Sequence, residues 1–155
     1  FSDAALSHLE LEVVVGANNP HRPAILAQAA ARPGINVHLP RPHLADLMAE
    51  CDLAIGAGGT TTWERACLGL PSVVVSIAEN QRGACEALAE DGIIAYAGDQ
   101  AHVSGETIRE AVAGLLEDAG RLGRMRAASR RMVDGLGVQR VLDALGLPGG
   151  FHAAP

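Results

Sequence analysis

The chain has 155 residues and a formal net charge of −6, a length that suits one domain with a real core. A hydrophobic content of 48% argues against disorder. No apolar run has spanning length, no signal peptide is visible, and no basic cluster would track a nucleic-acid backbone.

Strands and helices alternate at short intervals. Ser2 to Leu9 reads as the end of a helix with nothing before it. The chain starts at Phe1 rather than Met, so a truncated first β-α unit is expected. Leu11 to Val15 is a β-branched strand ended by Gly16. Pro23 to Ala31 is a short helix closed by Pro33-Gly34. Ile35 to Leu39 is a second strand, stopped by Pro40 and Pro42, and Leu44 to Glu50 is a helical turn or two.

Leu53 to Ile55 is predicted as a third strand, followed by a glycine turn (Gly56, Gly58, Gly59) and a helix over Thr61 to Leu68 that ends at Gly69 and Pro71. Ser72 to Ile77 is a continuous apolar strand, as expected when both sheet faces are covered. A helix over Gln81 to Ala89 and a strand over Ile93 to Tyr96 follow. Glu106 to Leu116 and Leu122 to Met132 are amphipathic helices, and Val138 to Leu145 is a short terminal one. The arginines from Arg121 to Arg131, interleaved with Leu122, Met125 and Met132, form a solvated helix face. The pattern specifies an α/β, doubly wound fold: a Rossmann-like parallel sheet of about five strands with helices on both faces. One domain is expected over 1–147, with a frayed tail over 148–155.

Cys51, Cys67 and Cys85 are odd in number and form no C-x-x-C pair. Neither zinc nor a disulfide framework is indicated, and a reducing cytoplasm fits. Cys51 and Cys67 sit beside apolar residues and are expected as small core residues. No histidine spacing supports a metal or a general base, and no catalytic residue or cofactor is assigned.

The candidate site is the run from Gly56 to Glu64. A glycine turn lets the backbone approach a ligand, and a helix N-terminus directs N–H groups and partial positive charge at it. That combination suits a diphosphate. It is not a dinucleotide fingerprint, because the third glycine of G-x-G-x-x-G is absent, and no G-K-[ST] occurs. Glu64 has two readings. It can accept from a ribose diol, or it can close a capping box on Thr61. Gly58 and Gly59 can likewise make only a tight turn. Trp63 reads as core or interface. Asn80 and Gln81 follow the apolar strand and face the crevice at its carboxyl end, or Asn80 caps the next helix. Arg41 and His43 lie in the loop after the second strand, where a base or phosphate can reach, or where His43 is merely exposed.

Asp52 to Pro71 and the following Ser72-Val-Val-Val-Ser-Ile-Ala-Glu-Asn-Gln81 resemble the C-terminal half of the nucleotide-sugar hydrolases of pseudaminic acid biosynthesis and the related spore-coat polysaccharide proteins. Val133 to Val141 is similar to the family's closing segment. More distantly, the layout resembles the peptidoglycan N-acetylglucosamine transferase, of two-domain GT-B architecture. The resemblance covers nearly the whole chain, and its specific part is Ala57 to Glu64 plus Glu79 to Gln81. It implies a C-terminal GT-B-like domain in which Gly58, Gly59, Thr60 and Thr61 hold the UDP diphosphate and Glu64 binds the ribose. Asn80 and Gln81 then lie near diphosphate and sugar, and the loop from Leu39 to Leu44 borders the uracil. The implied reaction is water attack on the glycosyl carbon with release of UDP. The family's proposed catalytic histidine lies in an N-terminal domain and matches no histidine here. The expected partners are therefore a UDP-sugar and that missing domain, with a capacity for self-association. The alternatives are the donor half of a glycosyltransferase and a non-catalytic binding module.

Overall fold

The computed structural model describes residues 6–40 and 43–147. Two compact units meet in sequence between Cys51 and Asp52. The first holds β1 (Leu11–Val14), α1 (Arg22–Ala30), β2 (Ile35–His38) and α2 (Ala45–Ala49). β1 and β2 pair in parallel, with Leu11 opposite Ile35 and Val14 opposite His38. Pro23 fits the first turn of α1, where its missing N–H costs nothing. Arg32 ties the start of this unit down by donating to the carbonyls of Leu6 (3.0 Å) and Leu9 (3.1 Å).

The second unit holds β3 (Ala54–Ala57), α3 (Thr61–Leu68), β4 (Ser72–Ser76), α4 (Glu79–Glu90), β5 (Ala95–Asp99), α5 (Gly105–Glu117), α6 (Ala119–Met132) and α7 (Gly137–Ala144). Its sheet is parallel, in the order β3-β4-β5. The central strand β4 explains the apolar run. Successive side chains leave a strand on opposite faces, and here both faces are covered. Val74 packs with Ala66 of α3 and with Cys85 and Leu88 of α4. Val73 packs with Val112 and Leu115 of α5 and Met125 of α6. Both valines are fully buried, each contributing about 1.5–3 kcal/mol relative to exposure.

Local chemistry sets the helix ends. Gly69 closes α3 in the left-handed region, at φ 68°. Ser104 caps α5 by accepting from the Thr107 N–H, and Asp118 caps α6 by accepting from the Arg121 N–H at 2.7 Å. The basic run is one face of α6, as the spacing predicts. Met125 points inward, while Arg126 donates to the Asp52 carbonyl and Arg130 to the Leu68 carbonyl. No helix among the described residues is long and apolar enough to cross a membrane.

Several expectations change. β3 runs through Gly56 and Ala57, so Gly56 belongs to a strand and not to the turn. Its pairing with Val74 holds it extended. β5 starts two residues later than predicted and reaches Asp99, because Ile93 and Ile94 serve as core plugs ahead of it. Cys67 is exposed and Cys51 only half-buried, whereas Cys85 is the core thiol. Trp63 is 46% exposed and is not a core residue, since α3 turns Thr62, Arg65 and Ala66 inward instead. Residues 6–9 form a turn, with the Leu9 N–H on the Leu6 carbonyl. The rest of the expected helix end and the tail over 148–155 lie outside the described residues.

Candidate functional site

β3 and β4 end side by side, and each leads into a helix. The Gly58 N–H donates to the Val75 carbonyl at 3.0 Å, which continues the strand ladder by one residue. The chain then turns through Gly59 and Thr60 into α3. Among the described residues no acceptor is recorded for the N–H groups of Gly59, Thr60 and Thr61. These are the orphan donors of a helix start, and Thr60 as N-cap offers no side-chain bond to any of them.

The capping box does not form. It requires Thr61 as N-cap, but Thr60 holds that position, so the third helical residue is Trp63. Glu64 lies one place too far along to reach back. Its side chain is exposed, and no hydrogen bond to it is recorded among the described residues.

Asn80 is not a cap either. Ala78 is the N-cap of α4, in an extended conformation. Asn80 sits exposed in the first turn. Gln81 takes the capping role from inside the helix, its Oε1 accepting from the Ile77 N–H at 3.0 Å. The same amide borders the glycine turn. A β-carbon on Gly58 would stand 3.6 Å from Gln81 Oε1, and one on Gly59 would stand 3.8 Å from Nε2. Gly58, Gly59, Thr60, Thr61 and Gln81 are therefore brought together, with Glu64 one turn on and Asn80 at the neighbouring helix start.

His43 is exposed in the loop ahead of α2, within the first unit. Arg41 lies outside the described residues.

Two residues that pack against the turn carry little signal in the sequence. Cys85 packs directly against Gly58, and burial pushes its thiol pKa up. Arg65 is only 6% exposed. It donates to the Ala57 carbonyl at 3.0 Å and to Thr62 Oγ1 at 3.1 Å. Burial lowers its pKa, opposed by the nearby Glu64 carboxylate. An arginine on a helix reads as surface, and only the glycine beneath it on β3 hints otherwise.

A cleft of about 240 Å³ opens at the ends of β4 and β5, lined by Ile77, Glu79, Arg82, Asp99 and His102. Asp99 accepts from Arg82 at 2.6 Å and pairs with His102 Nδ1 at 2.7 Å. These bonds, that to His102 first, hold its carboxyl below the usual range. A larger hollow of about 520 Å³, between Glu90 to Gly92 and the arginines of α6, lies away from the glycine turn.

No family model matches the sequence. The spore coat polysaccharide biosynthesis protein SpsG of Bacillus subtilis (strain 168) is 28% identical over 128 residues, which are 83% of this chain and 38% of that protein. The chain thus spans well under half the length of this curated relative. Among solved structures, Acinetobacter baumannii MurG superposes with a TM-score of 0.72 at 23% identity, over 92% of this chain and 43% of that one. The glycosyltransferase SsfS6 of Streptomyces sp. SF2575, solved with thymidine diphosphate, gives a TM-score of 0.52 at 21% identity, over 88% of this chain and 41% of that one. With its parallel strands and helices on both faces, the chain has the Rossmann-like α/β fold of a C-terminal GT-B domain.

Proposed function

We propose that the second unit binds the nucleoside diphosphate of a nucleotide-sugar, with UDP as the nucleotide. The observation that carries this reading is the row of unpaired N–H donors from Gly59 to Thr61 at the start of α3, flanked by the Gln81 amide. Such donors attract a diphosphate. Glu64, exposed and without a capping bond, is the residue we assign to the ribose diol. Asn80 and Gln81 serve the diphosphate and sugar. A neighbour of the same fold solved with thymidine diphosphate supports a nucleotide ligand.

Within this reading we favour a hydrolase acting on a UDP-linked diacetamido-trideoxy sugar. Water adds to the glycosyl carbon, the bond to the diphosphate oxygen breaks, and UDP leaves. The donors at α3 stabilise the charge that develops on the leaving diphosphate. The attacking water is activated by groups outside these residues, a reading supported by the 38% share of the curated relative that the chain spans. A glycosyltransferase, with an acceptor hydroxyl in place of water, is the second reading. The similarity of fold to SsfS6 favours it.

Calorimetric titration with UDP, with CMP and ADP as controls, tests the proposal. Selective UDP binding is expected. Equal binding of all the nucleotides, or none, would overturn it.

A further inference from the structure

Arg65 is the charged residue among the buried ones described, and its surroundings are unusual. Its seat is made by Gly56 on β3, where a β-carbon would stand 2.6 Å from Nη1 and 3.2 Å from Cζ. Every recorded partner of the guanidinium is a neutral oxygen: Ala57 O, Thr62 Oγ1 and, at 3.4 Å from Nη1, Thr61 Oγ1. Nε is buried, with no partner among the described residues. A buried cation whose hydrogen bonds all go to neutral oxygens, with the exposed Glu64 carboxylate as its nearby countercharge, is costly to the fold, and an arriving anion offsets that cost.

The two threonines differ in what they do with their protons. Thr62 donates to the Ala57 carbonyl while accepting from Arg65. Thr61 accepts from Arg65, and no acceptor is recorded for its own O–H. A hydroxyl that accepts from a guanidinium points its hydrogen elsewhere. Thr61 is the first residue of α3, beside the unpaired N–H groups.

We propose that Arg65 is a positioning residue for the diphosphate. It braces the turn from Ala57 to Thr62 from beneath and sets the Thr61 hydroxyl as a donor to a phosphate oxygen. Its buried charge favours the anion through that link. This inference rests on the nucleotide-sugar reading above and adds a residue to it.

The test is titration of the chain with UDP and with uridine, comparing wild type, Arg65→Met, Thr61→Val and Thr61→Ser. Wild-type preference for UDP over uridine checks the nucleotide reading itself, and its absence overturns both. Given that preference, Arg65→Met and Thr61→Val each shrink it about tenfold, the scale of one charge-assisted hydrogen bond, with uridine affinity unchanged. Thr61→Ser keeps it, and Arg65→Met combined with Thr61→Val loses no more than the larger single loss. Should Arg65→Met fail to fold, Arg65→Lys takes its place, with a smaller loss on UDP and none on uridine. A folded Arg65 variant that keeps the wild-type preference, or that weakens both ligands equally, overturns the proposal.

Discussion

The thiol of Cys85, on α4, sits so close to Gly58 that a β-carbon on Gly58 would overlap it. The glycine is there because a core side chain from the neighbouring helix fills its space. This contact locks the start of the turn to α4, and it brings Gln81, one turn earlier on that helix, beside Gly59.

Gly58→Ala is therefore expected to destabilise the chain by about 1–3 kcal/mol, the usual cost of overpacking. In a Cys85→Ala background the penalty should shrink, because the methyl then has room. Urea denaturation of the four members of this double-mutant cycle measures the coupling. Additive penalties would show that the contact is not the cause.

Glu64→Ala is expected to leave stability within about 0.5 kcal/mol, the ordinary range for an exposed position without a structural bond. A capping-box glutamate would behave differently, because losing a cap interaction costs about 0.5–2 kcal/mol. UDP affinity should fall at least about tenfold, as for a lost hydrogen bond to a charged group. Thermal melting and calorimetry on one preparation separate the two effects.

α3 and β4 were the most legible elements, and the causes are local. The apolar run from Ser72 carries its own strand signal, and Gly69 can close a helix from sequence alone. Gly56 reads as part of the turn because a glycine in isolation signals one. Its place in β3 depends on pairing with Val74, which no local pattern shows. The capping-box reading of Glu64 rests on a spacing that fits Thr61, but Thr60 occupies the N-cap position, without a side-chain bond, and the box cannot close. Of the two readings of Asn80, the cap fails, because α4 begins before it and Gln81 caps from within. The burial of Arg65 depends on Gly56 on another element, a relation that no local pattern displays.

Asp134 provides a pH marker. Hydrogen bonds from Arg140, and then from the Leu136 N–H, lower its carboxyl pKa to about 2 from an ordinary value of 3.8. A depressed folded value means that the bridge stabilises the start of α7 fully above about pH 4. That contribution is lost as pH falls through about 2. Carboxyl-carbon NMR should show this midpoint in wild type, and Arg140→Gln should move it up towards 3.8. An unmoved midpoint would mean that Arg140 is not the cause.

Amide NMR of the labelled chain during UDP addition tests most directly whether a diphosphate lands on the start of α3. The largest shifts are expected at Gly59, Thr60, Thr61 and the Gln81 side-chain amide, saturating together. Shifts confined to other surfaces, such as the arginine face of α6, or no shifts at all, would contradict that placement.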